Sequence, residues 1–237
     1  ELITNVSHDI RTPLTSIIGY LGLIEHLQHQ RRASLLKYTH TAYIKAKQMK
    51  LLVDDLFEYT KVRQPAVPVN FSAFDLIQLI EQLAADFELE ASKKHIQILV
   101  SSQVPSLTMD GDTEKLVRVF NNLLTNALKY GKGATKIVIE VEKVGSEVVA
   151  TVKNNGAMIP RESIDNLFDR FYRVEESRSQ ETGGTGLGLA IAQSIVALHG
   201  GYIYAKSDKH WTSFIRHLPI KRNEKLPIKS QEHIDEN

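Results

Sequence analysis

The 237-residue chain contains no cysteine, which removes disulfides, thiolate nucleophiles and cysteine zinc sites and agrees with a reducing compartment. It has no apolar run near the roughly 20 residues that a membrane-spanning helix needs. It also has no basic start leading into a signal-peptide core. Charge of one sign is missing too: 29 Lys and Arg against 28 Asp and Glu leave a formal +1. No global field therefore draws nucleic acid or an anionic membrane, and any bound anion must be held by a local site. Nucleic acid is not an expected partner. What is present is ordinary for a globular protein, 42% apolar and 24% charged residues, over a length that accommodates two domains. The chain starts at Glu1, with no initiator Met, already inside a helical pattern. This start predicts a piece of a longer protein.

Ile3, Ile10, Ile17 and Ile24 recur every seventh residue, with Val6, Leu14 and Leu21 beside them, and predict a helix over residues 1–27. Leu35, Ala42, Met49 and Leu56, flanked by Tyr38, Val53 and Tyr59, predict a second over 34–62, with the turn at Gln28 to Arg32. Two such helices cannot enclose a core, so pairing with a second copy into a four-helix bundle is expected, which makes the chain a homodimer. Pro65 and Pro68 interrupt all periodicity and mark a linker. The expected organisation is an all-α hairpin domain over 1–64, a linker over 65–70, an α/β domain over 71–219 and a charged, mobile tail over 220–237. Within the α/β domain the patterns predict strands at 69–74 and 95–101, a hairpin of 136–143 with 147–154, and strands at 202–206 and 211–218. Helices are expected at 75–91, 112–129 and 186–199. The sheet is expected to be mixed, with helices on one face.

Three places carry chemistry. His8 lies opposite the apolar seam of the first helix and faces outward. An acidic neighbour, Asp9, can orient or deprotonate it, Thr12 lies one turn along, and Pro13 frees the Asp9 carbonyl. An imidazole so placed can accept a phosphoryl group. Asn122 and Asn126 stack at i, i+4 with Lys129 one turn further, a face able to hold phosphates and a hard cation that keeps most of its waters. Gly183-Gly184-Thr185-Gly186-Leu187-Gly188 runs into the apolar helix starting near Ala190, where bare backbone N–H groups can approach phosphate oxygens. The stretch before it is polar and carries Arg173 and Arg178. Phe168 and Phe171, just upstream, are read as packing residues.

From His8 to Leu14 the sequence His-Asp-Ile-Arg-Thr-Pro-Leu resembles the phosphoacceptor box of bacterial sensor histidine kinases. Asn122 to Gly131 resembles the N box of their ATPase domains, Leu167 to Arg173 their F box, and Gly183 to Leu189 their second glycine box. The resemblance spans about residues 1–219. It implies a dimerisation and histidine-phosphotransfer domain followed by a Bergerat-type α/β sandwich that binds ATP with Mg²⁺, with the metal on Asn126. The implied nucleotide contacts are Asn122, Asn126, Lys129, Tyr130, Asn154, Gly156, Arg173, Arg178, Gly184, Thr185, Gly186, Leu187 and Gly188. The implied catalytic residues are His8, Asp9 and Thr12, the last for dephosphorylation of the partner. The implied partner is a response-regulator receiver domain, and the implied setting is the cytoplasmic, soluble portion of a cell-membrane protein whose sensor segment lies outside this sequence. Hydrolytic relatives place a water-activating glutamate where this chain has Asn122, which argues against an ATPase. A degenerate dimeric scaffold is the other alternative.

Two residues depart from the family pattern. The adenine box has Asn154 in place of an aspartate and Met158 in place of a glycine. Loss of the charge on the hydrogen-bond acceptor predicts ATP binding weaker by roughly 1 kcal/mol, about fivefold. The asparagine, together with the Gly183 to Ala192 segment, is similar to the sensor kinases of vancomycin-resistance systems.

Overall fold

The computed structural model describes residues 2–26, 32–64, 68–174 and 184–221, and in the first two helices the side chains of residues 10, 12–24 and 35–64. Residues 28–31 of the expected turn, 65–67 of the linker and 222–237 of the tail lie outside the described residues, as does Arg178.

Helix α1 (Leu2–His26) and helix α2 (Arg32–Val62) form an antiparallel hairpin in which the Tyr20 and Tyr38 rings approach to 5.9 Å between centroids. Their facing side buries Ala42 and Leu52. A hairpin covers only one side of each helix, so Ile18, Leu36 and Phe57 remain 62%, 62% and 71% exposed. No described helix is long and apolar enough to cross a membrane.

The α/β part begins with strand β1 (Ser72–Asp75), which pairs antiparallel with β3 (Thr108–Gly111) in a two-stranded ribbon. Between them lie helix α3 (Leu76–Lys93) and strand β2 (Gln97–Ser102). Helix α4 (Thr113–Tyr130), strands β4 (Lys136–Val144) and β5 (Glu147–Asn154), a one-turn helix α5 (Arg161–Ile164), helix α6 (Gly188–Leu198) and strands β6 (Tyr202–Ser207) and β7 (Thr212–Pro219) follow. The main sheet has the order β2-β4-β5-β7-β6, with β2 parallel to β4 and every other pair antiparallel. This is the expected mixed sheet. Ile137, Ile139, Val141, Val148, Ala150, Val152 and Phe214 alternate with less buried neighbours and bury one face against the helices.

Both long helices of this part start where an aspartate can cap them. Asp75 accepts from the N–H groups of Ile77 and Gln78, and Asp112 from that of Lys115. Burial works to raise the Asp112 carboxyl, but the Lys115 ammonium and the N–H groups of Asn70 and Lys115 hold it below its ordinary 3.8. Strand β3 and helix α5 were not expected from the sequence. Each spans four residues, too few for a period of two or 3.6 to register.

Candidate functional site

Helix α4 builds one wall of a cavity of about 280 Å³. Arg118, Asn122 and Asn126 follow one another at four-residue steps, and Asn121, Thr125 and Lys129 form the adjoining row, so both rows face the cavity. The opposite side of the helix, Leu116, Val119, Phe120, Leu123, Leu124 and Ala127, is sealed in the core. The site therefore stands on a rigid, fully packed element. Asn122 Nδ2 donates to the Gly188 carbonyl at 2.9 Å and ties this wall to the glycine-rich segment. Asn121 Oδ1 is buried on the cavity wall with no hydrogen-bond partner among the described residues. It is an open acceptor of the kind a bound donor or cation satisfies.

Gly184, Thr185, Gly186 and Gly188 line the side facing α4. Two of these glycines are dictated by neighbours. A Cβ on Gly184 would lie 1.8 Å from the Tyr130 hydroxyl. Gly186 has φ +71°, and a Cβ there would lie 2.7 Å from the Phe171 backbone, whose N–H donates to the Gly186 carbonyl at 2.9 Å. Thr185 Oγ1 accepts from the Leu187 N–H at 3.2 Å, just before α6 begins at Gly188. Burial pushes the Tyr130 phenol up, against the pull of the Arg173 charge, so the ring stands as a neutral hydroxyl on the wall. Arg173 also lines the cavity. Phe168 meets Phe214 edge to face at 6.4 Å, in keeping with a packing role.

The remaining predicted residues lie elsewhere. Asn154 is buried at the end of β5, where a Cβ on Gly131 would come within 2.8 Å of its Nδ2. Gly156 packs on the Gly131 backbone, with room for no side chain. Together they close the β5 end onto the C-terminus of α4, and neither is among the residues lining the cavity. Leu187 is fully buried beneath it. Met158 does line it and is 57% exposed, so its side chain stands in the mouth. His8 and Asp9 lie on α1 with side chains outside the described residues, and Thr12 is on the exposed surface of α1.

Several lining residues were not anticipated. Arg118, Asn121 and Thr125 continue the face that Asn122 and Asn126 define, and stepping back one turn from Asn122 is the signal that could have found Arg118. Leu51 and Asp55 come from α2 and also line the cavity. No local pattern announces them, since their role depends on how α2 meets a helix some 60 residues away. Among the described residues no group of three or more His, Asp or Glu gathers as a metal site. A cation here would rest on the amide oxygen of Asn126 and on oxygens brought by its ligand.

Residues 1–65 match the His Kinase A (phospho-acceptor) domain family, and residues 111–222 match the family of histidine kinase-, DNA gyrase B- and HSP90-like ATPases. The sensor protein VanS of Enterococcus faecium is 37% identical over 219 residues, 92% of this chain and 56% of that protein. The sensor protein kinase WalK of Staphylococcus aureus is 32% identical over 224 residues, 93% of this chain and 54% of that protein. The chain thus spans about half the length of the curated relatives it matches. The crystal structure of histidine kinase ThkA in complex with response regulator protein TrrA superimposes with a TM-score of 0.79 at 25% identity, covering 95% of this chain and 63% of that one.

Proposed function

The chain belongs to the two-component sensor histidine kinases, and on that premise we propose that it phosphorylates its own His8 from ATP and passes the phosphoryl group to an aspartate of a response regulator. The observation that carries this reading is the meeting of the nucleotide-type cavity with the helical hairpin. With Tyr20 opposite Tyr38, twelve residues back along α1 and twelve forward along α2 set His8 at the level of Lys50 and Leu51, and Leu51 is on the cavity wall.

The neutral imidazole of His8 attacks the γ-phosphorus in line. An N–P bond forms, the bond to the bridging oxygen of the departing ADP breaks, and Asp9 takes or orients the imidazole proton. Lys129, Arg173 and Arg178 hold phosphate charge, and the glycine-rich segment offers backbone N–H groups at the start of α6. Asn126 would hold Mg²⁺, which when bound would supply neutralising charge to the phosphates. The orphaned Asn121 acceptor and the amide-rich wall fit such a ligand. Asn122, where a hydrolytic enzyme would carry its glutamate, is tied to Gly188 and activates no water.

Incubation with γ-labelled ATP and Mg²⁺ followed by acid and alkali tests this directly. Acid-labile, alkali-stable label on the protein, absent in His8→Gln, is the expected result. Free phosphate alone would point to an ATPase, and no reaction at all to a scaffold. Thr12 positions the water that hydrolyses the regulator's phosphoaspartate, releasing phosphate, so a labelled response regulator keeps its label longer with Thr12→Ala. The homodimer is supported by the uncovered apolar side of the hairpin, and the regulator partner by the ThkA complex. VanS and VanSC, at 37% and 36% identity, support the narrower reading that the pathway controls vancomycin resistance. An unchanged vancomycin sensitivity on deleting the kinase would remove that reading alone. The relatives are sensor proteins longer than this chain, which supports a membrane-attached sensor segment as its missing context.

A further inference from the structure

Asp55 is 5% exposed, yet it is charged and lines the cavity. It accepts two hydrogen bonds across the meeting of α2 with the α/β part: from Arg118 Nη2 at 2.5 Å and from the Thr185 hydroxyl at 2.6 Å. Arg118 also brings its Nε within 2.9 Å of Glu58 Oε2, an ion pair without hydrogen-bond geometry. One turn along α2 the Tyr59 ring carries the Arg170 guanidinium at 5.5 Å. Helix α2 is thus fastened to α4, to the glycine-rich segment and to the Phe168–Phe171 stretch by charge and hydroxyl contacts.

These contacts use the groups that a nucleotide would need. Arg118 lies one turn before Asn122 on the cavity face of α4, where a cation suits phosphate oxygens, but two carboxylates hold it. Thr185 sits in the phosphate-binding segment, and its proton is given to Asp55. The Asp55 carboxylate adds a fixed negative charge to a wall that a triphosphate would approach with its own, and in a largely desolvated site like charges repel strongly. A carboxylate and phosphate oxygens offer these two donors the same kind of acceptor, so only one can be served.

We infer that Asp55 is a nucleotide-sensitive latch: docking of the α/β part on α2 and binding of Mg-ATP compete for Arg118 and Thr185, so nucleotide loosens the docked state and frees the α/β part to move along the hairpin. Linkage makes the effect reciprocal, and whatever strengthens docking weakens nucleotide binding. The latch rests on the nucleotide reading of the cavity. Asp55→Asn keeps the shape and removes the charge. Arg170→Gln weakens docking from an exposed position outside the cavity.

Isothermal titration of the whole chain with Mg²⁺ and a non-hydrolysable ATP analogue tests it. Asp55→Asn is expected to bind about fivefold more tightly or better, the lower end of ordinary coupling between sites, and Arg170→Gln more tightly by a smaller factor. A folded Asp55→Asn that binds as the parent does, or more weakly, overturns the latch. Should that variant not fold, an unchanged affinity in Arg170→Gln overturns it. Absence of binding by the parent and both variants removes the nucleotide reading and the latch together, whereas equal, measurable affinities remove the latch alone.

Discussion

Arg216 breaks the pattern of its own strand. Along β7 every second residue, Thr212, Phe214, Arg216 and Leu218, points inward, and the guanidinium is fully buried with no hydrogen bond from any of its three nitrogens among the described residues. It lies 3.6 Å over the Phe120 ring, and desolvation pushes its pKa far below the ordinary arginine range, down to about 9. The group is charged at neutral pH in both folded and unfolded chains, so folding bears a desolvation cost there. The cost is fully present below pH 9 and fades as pH rises above about 9 toward the ordinary arginine range, because in that window only the unfolded state holds the proton. A buried charge without a partner is replaced favourably by an apolar side chain of similar length. Arg216→Met is therefore expected to raise stability by about 1–4 kcal/mol, read as a higher urea midpoint at pH 7. A lower midpoint would mean that the stack on Phe120 outweighs the desolvation. Other single residues were legible without coordinates: the i, i+4 amides of Asn122 and Asn126 do share the cavity wall. The inward position of Asn154, away from the cavity, was not legible, because burial at a strand end depends on what the next helix brings against it.

Between elements, one imidazole joins the start of α4 to the end of α6. His199, at the end of α6, gives its Nδ1 proton to the Ile195 carbonyl at 2.8 Å and accepts the Asp112 N–H on Nε2 at 3.0 Å, so it is neutral when the joint is made. Burial lowers its pKa, with the nearby Lys115 in the same direction and the Ile195 carbonyl and Asp112 against it. A base whose folded pKa lies below its unfolded one contributes full stability above 6.5 and loses it as pH falls below that value. The denaturation midpoint is expected to drop as pH falls below 6.5, with His199→Gln showing a flatter profile over the same interval. The depressed carboxylates Asp75 and Asp112 lose their contribution only below their ordinary 3.8, a separate window. An equal slope in the variant would show that the joint does not titrate. Among the elements, the long helices and the β4–β5 hairpin could be read because periodicity accumulates over many residues and Gly145 supplies the turn at φ +60°. Strand β3 could not, since its identity comes from pairing with β1 at Ser72↔Gly111 through Asp75↔Thr108.

At the scale of the whole molecule, the hairpin leaves Ile18, Leu21 and Leu36 more than half exposed, an apolar side that a second copy covers in the proposed dimer. Ile18→Glu places a charge in that seam and is expected to shift the chain from dimer to monomer in sedimentation equilibrium at micromolar concentration. A dimer of undiminished strength would place the self-association elsewhere. The local pieces were set by the sequence alone: a histidine with its acidic neighbour, an amide-bearing helix face, a glycine-rich segment, two helices with a seven-residue repeat and a mixed α/β part. Each depends on residues within one or two turns, or on a motif read in order. Tertiary structure decided what those pieces do to one another. It carried Leu51 and Asp55 of α2 to the cavity, turned Arg118 and Thr185 onto a carboxylate, and closed Asn154 and Gly156 against Gly131. Contacts between residues about 20 to 130 apart leave no local period or spacing. Their energies arise only when packing has removed the water between the groups.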